Sequence, residues 1–211
     1  MNSEKIDFSK IRQTTVKALL HKNNILSLND LSKLRSLCYN PSDGQHYYKH
    51  VKSFVVHAPI VDVWTAYKTI NPQETRNGSM VSFGLMYSRN QNQIMYPGDS
   101  YPGIEAGQIL FLNLNLLGRF IQLAVGHEIT EVNEKDKIIK ICYLQNGAST
   151  GTQLIQVREV GGDKTEIVHE TWYRSGSVIR DKVLYPGFHE KGLTEFHENV
   201  KRKAESVSIY K

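Results

Sequence analysis

The stretch that decides the fold is 184-LYPGFHEKGLTEFHENVKRKAESV-207. Phe188, Gly192, Phe196, Val200 and Ala204 recur every fourth residue, with Leu193 and Val207 beside them, and draw one apolar stripe down an otherwise charged rod. Glu190, Glu195 and Glu198 precede Lys201, Arg202 and Lys203, the order that complements the helix macrodipole, and Glu198 meets Arg202 one turn on. The spacing predicts a long helix over 184–207, opened by Pro186-Gly187. Such a helix needs an apolar surface to lie on. Gly192 within it costs ~1 kcal/mol relative to Ala, so its place on the stripe points to close packing or to open space beneath it.

The surface lies just upstream. Ile109–Leu117, Arg119–Val132, Ile138–Gln145, Thr152–Val160 and Thr165–Arg174 read as strands, divided by segments of turn composition at 133–137, 146–151 and 161–164. This is an antiparallel meander of consecutive hairpins. Further back, Tyr47–His57 reads as a strand, and Pro59 is placed for the first turn of a helix, PIVDVWTAYKTI, with Ile60, Val63, Trp64 and Tyr67 on its apolar side. Between them, residues 71–107 are rich in Asn, Gly and Pro. Only Met80–Tyr87 reads there as a strand, and Tyr96–Gly103 reads as a loop.

The first 40 residues predict two amphipathic helices, one carrying Phe8, Ile11, Thr15 and Leu19, the other Leu28, Leu31, Leu34 and Cys38. Asn23-Asn24 separates them, and Ser27 with Asp30 resembles a capping box. Neither can bury its stripe alone, so both must dock on the main domain or on a partner. Asn40-Pro41-Ser42-Asp43-Gly44 marks the boundary, giving a helical extension over 1–45 and a main domain over 46–211.

Composition narrows the function classes. With 40% hydrophobic and 22% charged residues in 211, the chain can bury one real core, and no apolar run reaches the ~20 residues of a membrane span. The N-terminus has no secretory pattern, which points to the cytoplasm. Cys38 and Cys142 have no metal-ligand spacing, and no disulfide framework is indicated. The net charge of +5 arises mainly in residues 1–45, where seven Lys/Arg face four Asp/Glu. That bias is not a phosphate-tracking stripe, so nucleic acid is not expected as a partner.

Two stretches, SFVVHAPIVDVWTAY (53–67) and HETWYRSGS…LYPGFHEKGLTEFHENVKRK (169–177 and 184–203), resemble the START-like superfamily of lipid-transfer domains, pollen-allergen-like ligand binders and polyketide cyclases. The resemblance spans roughly 47–207. It implies an α+β helix-grip fold, in which a curved antiparallel sheet wraps a long C-terminal helix around an apolar cavity. Residues 1–45 are extra to that pattern, and 71–107 departs from it. The superfamily has no universal catalytic motif, so no catalytic residue is carried over.

Strand alternation proposes what lines such a cavity. On 165–174 the charged Glu166, Glu170 and Arg174 face out, leaving Ile167, His169, Thr171 and Tyr173 inward. The neighbouring strands contribute Ile121, Leu123, Val125, His127 and Ile129; then Ile139, Ile141, Tyr143 and Gln145; then Gln153, Ile155 and Val157; the helix contributes Phe188, Gly192 and Phe196. Turns centred on 134, 149 and 162 place Val125, Tyr143, Ile155 and His169 in one cross-strand row and His127, Ile141, Val157 and Ile167 in the next. At ~4.8 Å between strands, His169 then stands ~10 Å from Tyr143 and His127 farther still.

Gly147-Ala148-Ser149-Thr150-Gly151 spells a nucleophile elbow but joins two strands, not a strand to a helix, and reads as a hairpin turn. His189 and His197 rise ~12 Å apart along the helix, too far to share a metal, and read as surface or flank residues. His46 and His50 are spread along a strand. Neither a metal nor a cofactor is expected. The leading function is binding or transport of a hydrophobic small molecule in the interior. Alternatives are a cyclase, dehydratase or hydrolase using His169, Tyr143 or His127 as acid or base, and an interaction module recruiting a protein through the N-terminal helices.

Overall fold

Strands form where the alternation runs, and their order follows from the short turns between them. In the computed structural model, residues 4–76, 78–116 and 120–209 are described. They hold nine strands: β1 (Ser36–Leu37), β2 (Tyr48–Val56), β3 (Val81–Ser88), β4 (Gln93–Met95), β5 (Gln108–Leu116), β6 (Ile121–Asn133), β7 (Ile138–Leu144), β8 (Thr150–Glu159) and β9 (Thr165–Arg174). Every pairing is antiparallel, and the sheet runs β2-β9-β8-β7-β6-β5-β3-β4, with β1 attached to β7. Leu117 and Arg119, expected as the facing ends of two strands, lie outside the described set. The short β4 was not foreseen; it pairs only with β3.

Five α-helices accompany the sheet: α1 (Thr14–Lys22), α2 (Leu28–Ser32), α3 (Ile60–Thr69), α4 (Pro72–Thr75) and α5 (Tyr185–Ile209). Helix α5 lays Leu193, Phe196, Val200 and Ala204 inward, all buried, against a core shared by α3 and by Ile129, Ile139, Ile155, Val157 and Ile167 of the sheet. Burial of each large aliphatic side chain contributes about 1.5–3 kcal/mol, so this one seam accounts for most of the grip. Gly192 rests on Val81, whose methyl would meet an added Cβ at an ordinary 3.5 Å. The side chain of Val207 lies outside the described set. Pro186 does not open the helix: a π-helical turn over Arg180–Leu184 runs directly into α5, and the proline lies in the first α turn. A proline offers no N–H to its own preceding turn, which favours the wider turn before it.

The opposite face of the sheet is covered by the N-terminal segment. Ile11, Val16, Leu20, Leu28, Leu31 and Leu34 form a second core with Leu85, Tyr87, Ile109, Phe111 and Leu144. Gly84 permits the approach of α1, since a Cβ there would stand 2.8 Å from the Phe111 carbonyl oxygen and 3.0 Å from Val16. The helical stripe expected to reach Cys38 stops at Ser32, because the chain turns to pair Ser36 and Leu37 with Leu144 and Tyr143. Arg89 clasps this turn, donating to the Ser32 carbonyl at 2.6 Å and pairing with Glu128 at 2.7 Å. Cys38 and Cys142 are joined in a disulfide, which corrects the sequence expectation. A sequence separation of 104 conceals a proximity that the β1–β7 pairing creates.

Candidate functional site

Registers decide which inward residues meet. The β6–β7 turn centres between 135 and 136 instead of on 134, and a bulge between Ile129 and Glu131 takes back one residue, so His127 stands opposite Tyr143 where the expected register had Val125. Strand β8 pairs Gln153 with Ile141 and Ile155 with Ile139, a four-residue difference in pairing sum from the expected register, because the β7–β8 turn centres near 147. The β8–β9 register is as expected, with Ile155 opposite His169 and Val157 opposite Ile167. The displaced register brings Gln153 beneath three polar side chains. Its amide N–H groups face Tyr143 Oη at 3.3 Å and His127 Nε2 at 3.4 Å, and its carbonyl faces His169 Nε2 at 3.2 Å.

Helix α5 supplies what the sheet lacks. His197 is buried rather than at the surface, and its Nε2 lies 2.8 Å from His169 Nδ1 while its Nδ1 lies 2.6 Å from Tyr67 Oη on α3. With the Gln153 carbonyl toward His169, the direction of donation from Tyr67 to Gln153 follows. Tyr67 donates to His197, His197 to His169, His169 to Gln153, and Gln153 to His127 and Tyr143. Each histidine is thereby neutral with one donor and one acceptor. Burial supports this assignment: it pulls His127 down to about 3, assisted by the Arg76 charge, and holds His169 and His197 well below the ordinary imidazole value. It also raises the Tyr67 phenol well above its usual range and Tyr143 to about 12.

The N-terminal turns of α5 extend the polar zone. Tyr185 bonds to Tyr143, stacks on Tyr173 at 3.7 Å and on His189 at 4.7 Å. His189 Nδ1 lies 3.3 Å from His50 Nδ1, and burial, then the His50 charge, pulls it down to about 3. His189, like His197, therefore faces inward. Thr171 Oγ1 and His189 Nε2 are buried with no hydrogen-bond partner among the described residues. Among those residues, no group of His, Cys, Asp and Glu is arranged to hold a metal ion.

A cavity of about 50 Å³ adjoins one end of this chain, lined by apolar residues that include Leu110, Leu112, Ile129, Ile139, Ile141, Ile155 and Phe196. Tyr67, Thr75, Arg76 and His127 are its polar side chains from α3, α4 and its C-terminal flank, and β6, and Tyr101 and Ile104 border it from the loop before β5. Of the residues expected to line the interior, His127, Ile129, Ile139, Ile141, Ile155 and Phe196 border this cavity, whereas Ile121 is exposed. Tyr143, His169 and Tyr173 belong to the polar zone beside it, and Val157 is in the main core with Val125 packed against it. Leu123 is half-buried opposite Leu114, and Phe188 is half-buried on α5. Gln145 stands apart: it follows the end of β7 and accepts from the Arg35 backbone N–H at 3.2 Å.

Arg76 and Tyr67 were absent from the residues read from the sequence as a site, whereas alternation had already turned Gln153 inward. Leu193, His197 and Val200 share helical spacing, a signal that His197 faces the core. Arg76 carries no such signal, because it follows a four-residue helix in an irregular connector.

No family model matches the sequence, and no curated protein matches it. Solved structures do. Norcoclaurine synthase from Thalictrum flavum, in complex with dopamine and hydroxybenzaldehyde, superposes with a TM-score of 0.54 at 15% identity, covering 74% of this chain and 86% of that one. Major latex-like protein 151 from Panax ginseng gives 0.53 at 11% identity over 75% and 97%. The Zhui aromatase/cyclase from Streptomyces sp. R1128 gives 0.53 at 11% over 76% and 94%. At these identities the likeness is one of fold. An antiparallel sheet of nine strands among the described residues, packed with a long C-terminal helix, gives this chain the helix-grip fold that it shares with these structures.

Proposed function

We propose that the chain binds a small, largely apolar molecule in the space between α5, the α3–α4 corner and the sheet. The observation that carries this reading is the meeting of an apolar cavity with a neutral, fully directed chain of hydrogen-bonding side chains that opens into it at Tyr67 and His127. Apolar walls supply affinity and a few placed polar atoms supply orientation. The cavity as it stands suits only one or two water molecules, so an occupant must displace a wall. The loop at 96–107 is the wall suited to move. Gly98 and Gly103 hold positive φ at either side of Tyr101, and the loop is tied to the helices through Ile104 N–H to the Lys68 carbonyl and Gly98 N–H to Gln73 Oε1, both at 2.9 Å. Beyond Tyr101 lies an outer cleft of about 430 Å³, so outward rotation of this side chain would join the two spaces.

The test uses cinnamyl alcohol as a neutral apolar probe, followed by calorimetry and NMR shift titration. Ile155→Trp fills the cavity from its floor and should abolish uptake while the fold persists; undiminished uptake by a folded Ile155→Trp variant would sink the reading. A second reading, proton-transfer catalysis on such a molecule, is favoured by one observation: Tyr67 borders the cavity and is the outermost member of the chain through His197 to His169. It requires a turnover that Tyr67→Phe removes while probe binding survives.

A further inference from the structure

The cavity contains a cation without a counter-ion. Arg76 lines it, with its guanidinium carbon 3.9 Å from the centroid of the Phe196 ring. It keeps a partial opening at the cavity wall, yet protein surrounds it closely enough for desolvation to lower its pKa to about 10. Among the described residues, no carboxylate comes within ion-pair distance of it, and no acceptor takes a hydrogen bond from its guanidinium. None of the cavity-lining residues is acidic. The carboxylate whose charge it feels, Glu195, is already committed, accepting from the Met80 and Val81 backbone N–H groups at 3.0 and 3.1 Å and from Ser79 Oγ at 3.2 Å. Gly78 allows that commitment, since any Cβ there would collide with the Glu195 carboxyl group. The imidazoles nearby give no relief, being neutral and in part kept so by the Arg76 charge.

A cation largely withdrawn from solvent, whose N–H donors face the cavity opening instead of a protein acceptor, is costly unless something anionic completes it. We propose that the molecule bound here is an anion, an apolar body bearing one carboxylate, whose two oxygens take the free edge of the Arg76 guanidinium while its carbon skeleton lies on Ile139, Ile141, Ile155 and Phe196. The planar fork of arginine matches a carboxylate bidentately, and stacking on Phe196 holds the plane of the fork. The inference rests on the cavity-binding reading above and names the class of ligand.

Trans-cinnamate and cinnamyl alcohol differ at the charged group while sharing a skeleton, so their Kd ratio isolates the charge. For the wild-type chain the expected result is cinnamate binding roughly tenfold or more tightly than the alcohol, the factor that one charge-assisted pair supplies. Arg76→Met should reverse the preference while leaving the alcohol within about threefold of its wild-type Kd, and Arg76→Lys, a point charge without the fork, should fall between. Equal affinity for the two probes in the wild type overturns the proposal without recourse to any variant. So does a folded Arg76→Met chain that still prefers cinnamate. If neither probe binds the wild type, the cavity reading itself falls and carries this inference with it.

Discussion

Acidification should unfold this protein far earlier than carboxylate protonation would. His127 and His189 are each pulled from 6.5 to about 3, the first by burial and then Arg76, the second by burial and then His50. His169 and His197 are displaced in the same direction. A depressed histidine pKa means that the unfolded chain binds a proton which the native fold refuses. The stability is therefore fully present above pH 6.5 and is lost as pH falls toward 3. Each such histidine forfeits ~1.4 kcal/mol per pH unit once well below 6.5. Between pH 7 and 5, His127 and His189 alone account for roughly 4 kcal/mol, a large part of the 5–15 kcal/mol typical of a domain. The carboxylates with lowered pKa values, Asp7, Asp30, Glu134 and Glu190, start from 3.8 or 4.5 and act below this window.

Urea unfolding at pH 7, 6 and 5 measures the slope, and its value near pH 5.5 should correspond to uptake of about two protons or more on unfolding. His127→Leu and His189→Phe should each remove about one of them. A stability that stays flat or rises between pH 7 and 5 would refute the neutral-histidine network and, with it, the proton assignments from Tyr67 to Gln153.

Two further outcomes follow from the same geometry. Arg76→Met should raise the unfolding free energy by about 1–3 kcal/mol, since an apolar isostere removes an uncompensated charge at the expense of one aromatic contact; a lower stability in thermal and urea unfolding would mean that the stack on Phe196 is what Arg76 is there to supply. Cys38→Ser should cost about 2–5 kcal/mol for so long a closed loop, and dithiothreitol should lower the wild-type Tm to that of the variant; a Tm insensitive to reductant would show that the strand pairing of Ser36 and Leu37 holds the extension without the disulfide.

Taken by itself, the sequence determined the elements and their faces. The i, i+4 stripe on α5 and the two-residue alternation of β9 are local consequences of helix and strand geometry, so Phe196, Val200, Ile167 and His169 could be turned inward without knowing any neighbour. The order of hairpins followed from short turns, and the resemblance carried by residues 53–67 and 169–203 pointed to the helix-grip fold. Tertiary structure decided the rest, because the site is assembled from elements far apart in the chain. Two turn centres and one bulge shifted two registers, which placed Gln153 among His127, Tyr143 and His169. The docking of α5 turned His197 from an expected flank residue into the link between His169 and Tyr67, 28 and 130 residues away. The close approach of Cys38 to Cys142 and the unpaired charge of Arg76 have the same origin. Alternation and helical period say which way a side chain points, whereas hydrogen bonds and charge compensation depend on distances of a few ångströms between segments, and those are set only when sheet, helix and connector pack together.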